Sequence, residues 1–156
     1  MAAKTSRWFF FRAESFFNIA NYIDILAKTG GDGEKAYASY GGKSLHEQSH
    51  GESFLAFFNN RLGSNGFFIL DEPEAALSPQ RQLSLLVIIN ELCKKSHAQF
   101  IIATHSPILL AYPNATIYSC DSGTLEKIEY KNTQHYQITK RFLDNPEHFI
   151  KQLFED

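Results

Sequence analysis

The stretch from Phe67 to Pro79, FFILDEPEAALSP, combines a short apolar run with an abrupt change to acidic residues. Four consecutive apolar residues, Phe67–Leu70, are typical of a buried β-strand. Asp71 and Glu72 follow at its end, and Pro73 cannot continue a strand ladder. Because burying an unpaired charge is costly, two acids at this point indicate either solvated turn residues or a site that uses carboxylates.

The sequence on either side of this stretch predicts an α/β fold. Leu83–Cys93 has the apolar character of a helix that packs on a sheet, and Gln99–Ala103 predicts a second short buried strand. Strand, helix and strand in succession predict a βαβ unit with a parallel sheet. Ligands of such sheets bind beyond the carboxyl ends of the strands, so we expect Asp71, Glu72 and His105 at one common edge.

The flanking regions predict further helices and a hairpin. Apolar residues at helical spacing predict helices over Glu14–Leu26 and Ser49–Leu62. Alternating patterns on both sides of a turn predict a β-hairpin over residues 116–130. From about Thr133 onward, the sequence predicts one or two helices, broken at Asn145 and the proline after it.

Composition and charge narrow the class of protein. The 156 residues are 44% hydrophobic and 21% charged, which is typical of a soluble globular domain. The formal net charge of −2 gives no support for nucleic acid or an anionic membrane as a partner. No apolar run approaches the ~20 residues of a membrane span, and the first residues lack the long apolar segment that is typical of a secretory signal. Cys93 and Cys120 share no metal-ligand spacing and are expected to be reduced, so we predict a cytoplasmic protein.

Several candidate residues have both a structural and a functional interpretation. His105 could be a structural histidine or could donate a hydrogen bond to a phosphate. Ser106, with a proline after it, is typical of a helix N-cap. Ser49 and Glu52 form a Ser-x-x-Glu capping box. The same helix start, with Gly51 in its first turn, would also present backbone amides to an anion.

Taken together, these pieces resemble the C-terminal half of an ATP-binding-cassette (ABC) type ATPase of the P-loop class. Four motifs follow in the order of that family: QSHGES (48–53) resembles its signature loop, FFILDE (67–72) its Walker B strand, AALSP (75–79) its D-loop and ATHSP (103–107) its histidine loop. The sequence of these motifs is most similar to that of soluble bacterial ATPases of the AAA/ABC-like group, which resemble RecF-type and chromosome-maintenance enzymes. The resemblance implies one partial ATPase domain over residues 1–156, with a parallel-sheet core followed by a hairpin and helices.

The resemblance also implies roles for three residues and two cofactors, ATP and Mg²⁺. Asp71 would hold the Mg²⁺ through water, and Glu72 would polarise the attacking water. His105 would contact the terminal phosphate. A general base typically contributes ~10²–10⁴-fold in rate, so Glu72 is expected to matter for turnover far more than for binding.

Four further residues are implied to act across a dimer. Ser49, Gly51 and Glu52 would close on the ATP that a partner subunit holds, and Ser78 in the D-loop would line the contact. His50 departs from the family by replacing a glycine, and Ser78 stands where many members have aspartate. The implied partner is therefore a second copy of the chain or a separate ATPase half.

The phosphate loop of the P-loop class does not occur in this sequence. No G-x-x-x-x-G-K-[S/T] is present, although Gly41–Ser44 ends in GKS. In that class, the backbone N–H groups and the lysine of this loop make most of the contacts with the phosphates of the nucleotide. The resemblance therefore implies a domain truncated before its Walker A half and inactive alone.

Two alternatives to an ATP hydrolase follow from the same observations. The first is a non-catalytic interaction module that pairs with an intact ATPase, which the missing loop favours. The second is a nuclease of the overcoming-lysogenization type, whose ATPase half carries similar motifs. No clustered acids that resemble a nuclease metal site follow Tyr112, so the sequence gives this second alternative little support.

Overall fold

The computed structural model describes residues 7–15, 22, 25 and 66–155. The chain divides into two compact units, one within residues 1–104 and one within residues 105–156, and each is described by itself. The predicted helix at Ser49–Leu62 lies outside the described residues. Of the one predicted at Glu14–Leu26, the structure describes a 3₁₀ turn over Ala13–Ser15 and helical backbone at two later positions.

The first unit contains a three-stranded parallel sheet. Its strands are β1 (Arg7–Arg12), β2 (Gly66–Asp71) and β3 (Gln99–Ala103), in the spatial order β1-β2-β3. The parallel pairing of β2 with β3 confirms the predicted βαβ unit. Strand β1, with the sequence RWFFFR, was not among the predicted strands, although its aromatic residues favour extended structure.

One helix, α1 (Pro79–Ser96), connects β2 to β3 and extends beyond the predicted helix at both ends. Leu85 and Ile89, one turn apart, belong to the buried core, whereas Leu83 and Val87 are exposed. The predicted helix is therefore confirmed in position, and the exposure of Leu83 and Val87 shows that its apolar residues are not confined to the buried side. Only one stripe of α1 is buried, as in an ordinary amphipathic helix at a protein surface.

The two faces of the sheet differ in burial. Phe11, Phe68 and Leu70 are buried on one face, whereas Trp8 on the opposite face is 78% exposed. In β3 the side chain of Ile101 is 56% exposed, and the strand alternates between exposed and half-buried positions. β3 therefore lies at the predicted position, but the prediction that it is buried is wrong. Among the described residues β3 has only one neighbouring strand, and this edge position leaves its side chains more exposed.

The second unit contains several helices and a small hairpin. Its elements are α2 (Pro107–Leu110), β4 (Ile117–Ser119), β5 (Glu126–Ile128), α3 (Gln134–Asp144) and α4 (Pro146–Phe154). Strands β4 and β5 pair in antiparallel fashion, which confirms the predicted hairpin. The break between α3 and α4 at residue 145 confirms the predicted end of the first C-terminal helix.

Side-chain caps explain where α3 and α4 begin. The Thr133 hydroxyl accepts a hydrogen bond from the backbone N–H of Tyr136, and the Asn145 side-chain oxygen accepts one from the N–H of His148. Each cap satisfies a backbone donor that the first helical turn leaves without a partner. Across the described residues no helix has the length and apolar character needed to cross a bilayer, and Cys93 and Cys120 are both free thiols.

Candidate functional site

The carboxyl ends of the three parallel strands form the region where the acidic residues lie. Asp71 is the last residue of the central strand β2, and in the sheet register it lies opposite Arg12 of β1 and Ala103 of β3. The 3₁₀ turns that follow β1 and β2 contact each other. This is the edge at which open parallel sheets bind their ligands, so the structure places Asp71 and Glu72 where the sequence predicts.

Asp71 forms an ion pair that the sequence did not predict. The Nε atom of Arg12 lies 3.0 Å from Oδ2 of Asp71, and the Asp71 side chain is 30% exposed. The same Nε atom lies 3.7 Å from a carboxylate oxygen of Glu14. Ion pairs with this much solvent contact contribute about 0–1 kcal/mol to stability. The Arg12–Asp71 pair therefore contributes little to the stability of the fold.

Glu72 has an uncommon backbone conformation directly after the strand. Its φ and ψ of 48° and 50° place it in the left-handed region, which residues other than glycine rarely occupy. Its N–H still donates to the Ala103 carbonyl at 2.9 Å and extends the β2–β3 ladder by one bond. Pro73 then begins a 3₁₀ turn over Pro73–Ala76. The backbone thus leaves the strand direction at Glu72, whose side chain is exposed.

The predicted D-loop residues connect this turn to α1. Leu77 is buried and Ser78 is exposed. Ser78 occupies the N-cap position of α1, but its hydroxyl makes no capping bond. Instead its backbone carbonyl accepts from the N–H groups of Arg81 and Gln82, and the Gln82 amide donates to the Leu77 carbonyl at 3.1 Å. The helix therefore begins four residues before the predicted Leu83, and Ser78 precedes it without a hydroxyl cap.

His105 and Ser106 belong to the second unit. The Ser106 hydroxyl accepts hydrogen bonds from the N–H groups of Ile108 and Leu109, which confirms the predicted N-cap. His105 is exposed, and its Nδ1 lies 3.0 Å from Nε2 of His135 in a hydrogen bond. The expectation that His105 shares an edge with Asp71 stays a prediction.

The other predicted contacts with nucleotide lie outside the described residues. They are Ser49, Gly51 and Glu52. Within residues 7–15, 22, 25 and 66–155, no group of three or more histidine, cysteine, aspartate or glutamate side chains is arranged to hold a metal ion.

The sequence did not single out Arg12, which contacts Asp71, or His135, which contacts His105. Arg12 ends a strand of aromatic residues, and the change from apolar to charged at that point is the same signal that singled out Asp71. His135 gave no signal, because nothing in the local sequence links it to His105.

Comparison with known families supports a nucleotide-binding class for the middle of the chain. Residues 45–111 match the model of a family described as "AAA domain, putative AbiEii toxin, Type IV TA system". The match covers less than half of the chain, and it supports an ATPase-type domain of the AAA/P-loop class over that range. All seven predicted site residues lie within it. The parallel sheet with its connecting helix is compatible with an α/β core of this kind. A search of curated proteins found no match.

Proposed function

We propose that this chain supplies the metal-binding and water-polarising carboxylates of an ATP-hydrolysing domain. The observation that carries the proposal is the pair formed by Asp71, at the end of the central parallel strand, and Glu72, held in a left-handed backbone directly after it. The family match over residues 45–111, which suggests a nucleotide-binding ATPase-like function, supports it.

Asp71 is the residue proposed to hold Mg²⁺ through water. Mg²⁺ takes oxygen ligands, keeps several waters, and is commonly bound by one or two protein carboxylates together with substrate phosphates. A single half-buried carboxylate fits that donor set. Arg12 contacts Oδ2 of Asp71 and would keep the carboxylate in one orientation. When bound, Mg²⁺ would neutralise charge on the phosphate oxygens.

Glu72 is proposed as the residue that polarises the attacking water. Its side chain is exposed, whereas that of Asp71 is half-buried beside Arg12, so the two acids can serve different roles. His105, in the second unit, is proposed to contact the terminal phosphate. Ser49, Gly51 and Glu52 are proposed to act on nucleotide held by a partner copy, and Ser78 is proposed to line the contact between the copies.

The main contacts with the phosphates of the nucleotide are proposed to come from another polypeptide. Because the sequence contains no G-x-x-x-x-G-K-[S/T], we propose that a polypeptide carrying this loop completes the site. The 156 residues alone are then expected to bind Mg-ATP weakly or not at all. The sequence encoded directly upstream is the first place to search for the loop.

A Glu72→Gln substitution tests the proposal. It removes the charge and keeps the size of the side chain. With the loop-bearing polypeptide present, we expect turnover to fall about 10²–10⁴-fold, the usual contribution of a general base, while Mg-ATP binding changes less than about twofold. Titration calorimetry and phosphate release measure the two quantities.

Glu91→Gln is the matched control. Glu91 is an exposed residue of α1 paired with Lys95 one turn later, and such a pair contributes little, so both quantities should remain unchanged. Full turnover in Glu72→Gln would contradict the assignment of Glu72. If the completed protein does not bind Mg-ATP at all, the proposed function is wrong.

The missing phosphate loop also favours a second candidate, a non-catalytic module that pairs with an intact ATPase. In that case the exposed Ser78 would lie in the pairing surface. Ser78→Arg should then weaken association with the partner in analytical ultracentrifugation, whereas Glu72→Gln should leave association and the partner's turnover unchanged. Association that is insensitive to Ser78→Arg would count against this candidate.

A further inference from the structure

We propose that one face of the three-stranded sheet is the docking surface for the polypeptide that carries the phosphate loop. The inference rests on the proposed function, because that function requires such a polypeptide. The observation that carries it is a group of exposed apolar side chains on the face of the sheet opposite Phe68 and Leu70. Trp8 is 78% exposed, Phe10 55% and Ile101 56%.

The strand register arranges this face in two apolar rows that cross the sheet. The first row is formed by Trp8, Phe67 and Gln99, and the second by Phe10, Ile69 and Ile101. Alternate residues of a strand project from opposite faces, so both rows lie on the same side of the sheet. Neither row contains a charged residue. We call this side of the sheet, defined by its two rows, the open face.

An exposed apolar face is uncommon in a parallel sheet. Sheets of this kind are normally covered on both faces, and a contiguous exposed apolar surface marks a site of interaction. Helix α1 contributes Leu85 and Ile89 to the core that contains Phe68 and Leu70, so it covers the opposite face. The strand order follows the chain, and right-handed crossovers then put successive connections on one face. Neither connection is therefore expected on the open face.

The candidate site forms the next row of the open face. Arg12 and Asp71 are paired in the register two residues beyond Phe10 and Ile69, at the carboxyl ends of the strands. The 3.0 Å contact between their side chains shows that both project from the same side of the sheet. A polypeptide that covers the apolar rows therefore lies directly beside Asp71. This continuity favours the loop-bearing polypeptide as the occupant.

The phosphate loop also sets the direction of its polypeptide on this face. Such a loop opens a helix whose N-terminal N–H groups face the phosphates. For the loop to meet a nucleotide at Asp71, the N-terminus of that helix must lie at the carboxyl ends of the strands. The helix then runs back over Phe10 and Trp8. The occupant is thus an amphipathic helix, antiparallel to the strands, whose apolar side covers the open face.

Trp8 provides a direct measurement, because it is the one tryptophan in the sequence. The full chain is labelled with fluorotryptophan, so that tryptophans of a partner do not contribute to its ¹⁹F spectrum. The probe is the polypeptide with G-x-x-x-x-G-K-[S/T] encoded directly upstream, added without nucleotide. In the chain alone we expect a resonance that shifts when H₂O is replaced by D₂O. Addition of the probe should remove this solvent shift.

An Ile101→Thr substitution tests the same surface by affinity. It removes apolar area from the second row and keeps a β-branched side chain, which suits a strand. We expect association with the probe in sedimentation to weaken about tenfold, because about two carbon groups are no longer buried. Val87→Thr, at a 59% exposed apolar position of α1, is the matched control and should leave association unchanged. Thermal unfolding of both variants shows whether the first unit remains folded.

Several results would overturn the docking surface. If Trp8 is shielded in the chain alone at every concentration, another segment of this chain covers the face, and shielding that grows with concentration means a second copy does. The proposal is also wrong if the probe does not bind, if it binds while Trp8 stays exposed, or if both variants weaken association equally. Association through the open face without hydrolysis of Mg-ATP would leave the docking surface standing and contradict the proposed function.

Discussion

At the scale of single residues, Glu72 combines an unfavourable backbone with an exposed carboxylate. A residue with a β-carbon loses roughly 1–2 kcal/mol in the left-handed region, where glycine loses nothing. The turn after β2 would therefore suit glycine on stability alone. Strained positions of this kind are concentrated at functional sites, which supports the role proposed for Glu72.

A Glu72→Gly substitution measures this strain. It removes the left-handed penalty and adds backbone freedom to the unfolded chain, which costs about 0.5–1 kcal/mol. We expect the free energy of unfolding to stay unchanged or to rise by up to about 1.5 kcal/mol, while turnover is lost as in Glu72→Gln. Urea denaturation measures the first quantity. Glu91→Gly in the exposed face of α1 should instead lose about 1 kcal/mol, and an equal loss at both positions would contradict the argument.

The residues of the candidate site differ in how readily they can be predicted from the sequence. Asp71 and Glu72 could be predicted because a short apolar run followed by two acids and a proline is a local pattern. The Arg12–Asp71 pair could not, because it depends on the register between two strands that lie far apart in the chain. The His105–His135 bond likewise depends on how α2 and α3 pack.

At the scale of elements, the local sequence predicted where the helices, turns and strands lie but not how exposed their side chains are. The hairpin, the break at Asn145 and the Ser106 cap each follow from turn and cap chemistry within a few residues. The burial of β3 depends on strand order, which its own sequence QFIIA does not contain. An apolar strand at the edge of a sheet has the same composition as a central one, so its exposure could not be read from that segment.

The start of β2 illustrates how one strand fits the core. Gly66 is buried, and a β-carbon there would overlap the ring of Phe68, two residues later on the same face. That ring cannot move freely, because it is buried and packs against Phe100 with 5.0 Å between centroids. The absence of a side chain at position 66 therefore leaves room for the ring of Phe68 to pack against Phe100.

We predict that Gly66→Ala destabilises the first unit. Overpacking of this kind costs about 1–3 kcal/mol, which exceeds the about 0.4–1 kcal/mol gained by restricting the unfolded chain. A lower midpoint of thermal unfolding should report the difference. In a Phe68→Leu background the same substitution should cost less, because the ring that it meets is absent. Equal costs in the two backgrounds would show that the overlap is not the cause.

At the scale of the whole molecule, the buried residues are distributed unevenly between the two units. Most core positions among the described residues belong to the first unit, including Phe11, Leu70 and Leu85. In the second unit the buried positions are Ser106, Leu109 and Thr133, and two of these three are polar residues whose hydroxyls serve as helix caps. Resistance to local opening grows with buried apolar contact, so the two units should differ in local stability.

Hydrogen–deuterium exchange measures that difference. We expect the backbone amides of β2 to exchange slowest, because β2 is paired on both sides and Leu70 is fully buried. The amides of α3 and α4 should exchange fastest among the helices, because neither helix has a buried residue, and Phe154 at the end of α4 is 82% exposed. Peptides from α1 serve as the internal reference, after correction for intrinsic exchange rates. Protection of α4 equal to that of β2 would contradict the unequal distribution of stability, since a helix without buried side chains has little but its own hydrogen bonds to oppose opening.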